Sequence, residues 1–114
     1  MTARWPDDLF DRVTELLIDH MGRVDDRDAL LTESLWNHDT GLYRSIELDG
    51  KPNTFFTKCI RTLLEGSCVE SIHPLSRVLG RVRRRSGVDR HAEIDYWINL
   101  LNDSCNKQIG RAHV

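Results

Sequence analysis

The chain has 114 residues, the ordinary size of one domain and long enough to bury a single core. Its 39% hydrophobic and 30% charged residues exclude a disordered chain, and no run approaches the roughly 18 apolar residues that a membrane span needs. The net charge of -2 conceals a split: residues 1–57 carry 6 basic and 12 acidic side chains, residues 58–114 carry 10 and 6.

In chain order, one helix after another is predicted and no strand. Pro6 suits the first helical position, and Asp7, Asp8 and Asp11 complement a helix N-terminus. Leu9, Phe10, Val13, Leu16, Leu17 and Met21 then follow at spacings of three and four until Gly22 ends the helix. A second helix follows Asp25 or Asp26 as cap, with Ala29, Leu30, Leu31, Leu35 and Trp36 as its apolar residues. After a break at Asn37 to Thr40, Leu42, Tyr43 and Ile46 suggest a third helix of two turns. Residues 47–53 read as a loop punctuated by Asp49-Gly50 and Lys51-Pro52. A hairpin at Asp49-Gly50 is rejected because the flanking runs do not alternate with period two.

The fourth helix is capped by Asn53 or Thr54, lined by Phe55, Phe56, Cys59, Ile60, Leu63 and Leu64, and closed by Gly66. Pro74 opens a fifth, with Leu75, Val78, Leu79 and Val82 inside and Arg83, Arg84 and Arg85 at its end, before Ser86-Gly87 breaks it. The sixth runs from about Asp89 with Ile94, Trp97, Ile98 and Leu101 as its stripe, extended by Cys105. The expected architecture is all-α, a compact bundle of about six short helices over residues 5–105, followed by a flexible C-terminal tail or linker at 106–114. Leu16, Leu17, Phe56, Ile60, Leu63, Leu79, Trp97, Ile98 and Leu101 are its expected core.

The order of these features resembles bacterial effector-associated, death-like domains. The likeness starts at Trp5-Pro6-Asp7-Asp8-Leu9-Phe10 and Leu16-Leu17 and continues at Asp26-Arg27-Asp28-Ala29-Leu30-Leu31. Gly50-Lys51-Pro52, Phe55-Phe56, Leu63-Leu64-Glu65-Gly66, Pro74-Leu75 to Leu79 and the Ile94 to Leu101 helix complete it. The Trp36-Asn37-His38-Asp39 turn and the triple arginine lie outside the family pattern. The resemblance implies a death-fold-like bundle similar to caspase-recruitment domains. It further implies a module that recruits proteases or nucleases of bacterial defence systems by like-with-like contacts.

Three other chemistries are weighed and set aside. Cys68, His73 and His91 with Asp89 or Asp95 supply a thiol, a base and a carboxylate, but no turn around Glu65-Gly66-Ser67-Cys68 announces an oxyanion hole. No catalytic residue is assigned, and the chain is expected not to be an enzyme. The histidines at 20, 38, 73, 91 and 113 never take the i, i+4 spacing of a helical metal site, so neither metal nor cofactor is expected. The three cysteines form no CxxC pair, and their odd number argues against a disulfide framework. Nucleic acid is the runner-up: the Arg81–Arg85 cluster suits phosphates in a helix-turn-helix-like regulator, yet the pI of about 6.2 is acidic for that role.

The expected function is therefore an adaptor that binds a protein partner, either a like domain on an effector or a second copy of itself. Without the apolar core of a signal peptide in Met1 to Asp8, its expected location is the cytoplasm. Binding is expected on charged surfaces: Asp19, Asp25, Asp26, Asp28 and Glu33 on the acidic side, Arg77, Arg81, Arg83, Arg84 and Arg85 on the basic side. A contact between two such unlike patches is heterologous and propagates into rings or filaments.

Overall fold

The computed structural model describes residues 5–112, with side chains through Asn106. Six helices follow in order: α1 (Leu9–Ile18), α2 (Val24–Leu35), α3 (Thr40–Ser45), α4 (Pro52–Glu65), α5 (Pro74–Arg85) and α6 (Val88–Ala112). The all-α bundle expected from periodicity is what the chain forms. Among the described residues there is no strand, and an isolated antiparallel bridge joins Val69 to Ile72.

The organising element is α5, which packs against α1, α2, α4 and α6. Its apolar positions at 75, 78, 79 and 82 repeat with helical period, and all four are fully buried. Around them close Leu16 and Leu17 of α1, Leu30, Leu31 and Leu35 of α2, Phe56, Ile60 and Leu63 of α4, and Ile94, Trp97 and Leu101 of α6. Of the nine expected core residues eight are buried. The exception, Ile98, is half-buried because it faces a surface groove.

Helix boundaries differ from the sequence reading at three starts and at the end of α1. That helix stops at Ile18 with Asp19 as its C-cap, so Met21 is buried beyond the helix and Gly22 does not end it. Residues 6–8 form a turn before α1, so Pro6 precedes the first helical position by one turn. Arg23, in extended conformation, takes the cap of α2, which places Asp25 and Asp26 inside its first turn. Lys51 caps α4, with Pro52 rather than Asn53 or Thr54 opening it, as its fixed φ and missing N–H suit a first helical position. At the far end α6 continues through Ala112, beyond Asn106 where the apolar stripe fades.

Two glycines answer to their surroundings. Gly50 has φ +100°, a left-handed conformation in which the turn before α4 is made. A Cβ on Gly66 would lie 3.0 Å from both Leu42 Cδ2 and Pro74 Cγ, so its lack of a side chain lets α3 and α5 approach the end of α4.

Arg27 is the largest departure from the sequence reading. It sits in the acidic start of α2 yet is buried, at 2% exposure. Its guanidinium donates to the carbonyls of Met21 (3.0 Å), Leu48 (2.7 Å), Gly50 (3.1 Å) and Gly22 (3.4 Å) and stacks over the Phe55 ring. One cation thereby fastens the α1–α2 and α3–α4 connections together, its planar fork distributing donors that a lysine ammonium lacks.

Candidate functional site

A helix that buries Leu75, Val78, Leu79 and Val82 on its inner face turns its outer face to solvent, and on α5 that face is arginine. Positions 77, 81 and 84 are spaced by four and three, so they share one side of the helix. Arg83 and Arg85 lie on the two flanks.

The structure divides these five arginines by what they hold. Arg83 donates through Nε (2.7 Å) and Nη2 (3.1 Å) to the two carboxylate oxygens of Asp95 on α6. That pairing raises the pKa of Arg83 and lowers that of Asp95. Arg85 reaches both carboxylate oxygens of Glu33 on α2 at 2.8 and 2.7 Å. A basic and an acidic interaction candidate thus meet within one molecule. Arg77 donates to the Val69 carbonyl at 2.9 Å. Among the described residues, Arg81 and Arg84 form no ion pair.

Arg81 and Arg84 border a groove of about 380 Å³ between α2, α5 and α6. Its floor is small and polar: Ser34 of α2, Ser76 and Gly80 of α5, and Asn102 of α6. A Cβ built on Gly80 would meet nothing within 4 Å, so the groove is open at its centre. Glu33, which Arg85 holds, and Arg77, His38, Ile72 and Ile98 complete the walls. The arrangement suits a carboxylate-bearing surface: two guanidiniums one turn apart, with an apolar edge.

The acidic candidates separate in the same way. Asp25 and Asp26 are exposed in the first turn of α2, where they complement the helix dipole. Asp19 is exposed just past α1. Asp28 accepts hydrogen bonds from Thr32 Oγ1 at 3.2 Å and from the Tyr43 hydroxyl.

Residues weighed for catalysis serve the ends of α5. His73 is buried; its Nδ1 accepts from the Leu75 N–H at 3.1 Å as an N-cap, and its own N–H donates to Asn102 Oδ1 at 3.0 Å. Burial pushes its pKa down to about 4, opposed by a hydrogen bond to the Leu64 backbone. His91 donates from Nε2 to the carbonyls of Arg83 (3.0 Å) and Ser86 (3.3 Å) at the other end. Cys68 is joined to Cys105 by a disulfide. The odd count had argued against such pairing, but two cysteines 37 residues apart meet where the α4–α5 connection crosses α6. Cys59 remains a buried thiol, with burial raising its pKa to about 12.

No group of three or more histidine, cysteine or acidic side chains among the described residues is placed to hold a metal ion. Nor is any helix among them long and apolar enough to cross a membrane. Compared with known families, residues 7–101 match the model of effector-associated domain 8. No curated protein and no solved structure matches the chain.

Proposed function

The chain belongs to the effector-associated domain 8 family, and from that premise we propose that it is a non-catalytic adaptor, recruiting or clustering an effector through contacts between like domains. The effector is a protease or nuclease of a bacterial defence system, the arrangement of the helices is death-fold-like, and the module works in the cytoplasm. The observation that carries this reading is the division of the α5 arginines. Arg83 and Arg85 are engaged within the fold, while Arg81 and Arg84 form no ion pair among the described residues and border a groove whose acid, Glu33, is taken by Arg85. Asp25 and Asp26, exposed at the start of α2, supply the opposite charge on a second copy. Because the two patches differ, each contact leaves one of each open, and assembly propagates.

Exposed charge pairs contribute about 0–1 kcal/mol each, so association is weak for the isolated module and firm when many copies are tethered. The test is sedimentation of Arg81→Glu with Arg84→Glu, of Asp25→Lys with Asp26→Lys, and of their mixture. Each variant alone loses association, and mixing the two restores one contact. Unchanged association of both variants across salt concentrations would refute the reading. Salt-dependent, sequence-selective binding to duplex DNA would instead favour the nucleic-acid role of the same arginines.

A further inference from the structure

We propose that the Cys68–Cys105 disulfide is a reversible thiol–disulfide latch on one wall of the α5 groove. The proposal takes the groove to be the docking site read above, and concerns its regulation. Two of the residues that line the groove, Ile72 and Asn102, belong to the two segments the disulfide joins. Cys68 is followed by Val69, whose carbonyl holds the Arg77 guanidinium, and Ile72 comes four residues after Cys68. Cys105 lies one helical turn after Asn102, whose side chain accepts from the His73 N–H and the Ser76 hydroxyl.

The joined segment needs an external hold. Glu70 and Ser71 both have positive φ, 55° and 65°, in a turn closed by two Val69–Ile72 backbone hydrogen bonds of 3.0 Å. Neither residue is glycine or asparagine, so the turn is strained and persists because its surroundings fix it. With the disulfide formed, the turn is pinned to α6 and Arg77 stays tied to Val69. With it broken, the turn loses its covalent tie to α6, and each opening of the turn frees Arg77 from Val69 to swing toward Arg81 and Arg84.

The exchange chemistry has an accessible entry. Cys105 is buried while Cys68 is half-buried, so a small thiolate such as glutathione attacks the Cys68 sulfur. The S–S bond breaks as a glutathione–Cys68 bond forms, and Cys105 leaves as a thiolate that takes up a proton. A second glutathione thiolate attacks the glutathione sulfur of that mixed disulfide, releasing glutathione disulfide and the Cys68 thiolate, which is protonated. Two electrons pass from two glutathiones to the protein, and reoxidation by glutathione disulfide reverses each step. In a reducing cytoplasm, the location proposed above, disulfides of mesophilic proteins are mostly of this transient kind. Cys59 takes no part, being enclosed in the core.

The test equilibrates the full chain with mixtures of reduced and oxidised glutathione, traps free thiols, and follows backbone hydrogen exchange in each state. The Cys68–Cys105 pair should interconvert reversibly with Cys59 unmodified by glutathione. On reduction, residues 66–73 and the α6 turn around Cys105 should exchange about tenfold faster or more, with α1 and α2 unchanged. Cys68→Ser should reproduce the reduced pattern. A pair that stays oxidised under excess reduced glutathione overturns the latch. So does equal exchange in both states, or global unfolding on reduction, which marks a purely structural crosslink. These readouts need no association. If Arg81→Glu with Arg84→Glu leaves association intact, the docking reading fails while the latch itself is judged on exchange alone.

Discussion

The Arg27 guanidinium carbon lies 4.2 Å from the centroid of the Phe55 ring, so a cation of α2 is covered by an aromatic of α4 at the base of the core. Among the described residues no carboxylate pairs with it, and backbone carbonyls take its protons. Arg27→Ala therefore strands several acceptors and removes the cover of Phe55. Chemical denaturation should show a loss of about 2–4 kcal/mol. Arg27→Lys, with one ammonium in place of a fork, should recover less than half of that loss. A loss below about half a kcal/mol for the alanine variant would mean that the two connections hold without it.

The strained turn gives a prediction of opposite sign. Glu70→Asn combined with Ser71→Gly places at positive φ the two residues that tolerate it best. The double variant should gain about 1–2 kcal/mol in thermal or denaturant unfolding. A neutral or destabilising result would show that the left-handed backbone is not a source of strain there.

His73 makes stability depend on pH in a defined window. Its folded pKa, about 4, lies below the ordinary value of 6.5. The unfolded chain thus binds the proton more readily, and stability falls as pH drops below about 6.5, levelling near 4. The loss across that window should reach at most about 3 kcal/mol. Protonation also abolishes the lone pair by which Nδ1 caps α5. His73→Asn keeps a side-chain acceptor at the cap and does not titrate, so its stability should stay nearly flat between pH 6.5 and 4.5. A wild-type curve equally flat over that range would contradict the assignment.

The helices were legible in the sequence because burial imposes a period. Leu75, Val78, Leu79 and Val82 are spaced by the helix, and nothing else explains that spacing. Arg27 was not legible, since its role depends on carbonyls of two loops whose paths no local pattern encodes. The Cys68–Cys105 pairing was hidden for a related reason: 37 residues separate the partners, and counting cysteines says nothing of which connection crosses which helix. The basic surface was visible as a run of arginines. Its division was not, because Asp95 and Glu33 belong to different neighbours, and only packing brings them to Arg83 and Arg85. The caps of α2 and α4 leave no mark in the sequence, because Arg23 and Lys51 make no side-chain capping hydrogen bond.

With four of the other five helices packed on it, and a histidine gripping its backbone at each end, α5 behaves as a spine. A load applied at Arg81 or Arg84 is transmitted to α1, α2, α4 and α6 together, with no single joint to absorb it. Tilting α5 would therefore tilt its four neighbours with it, as one stiff body.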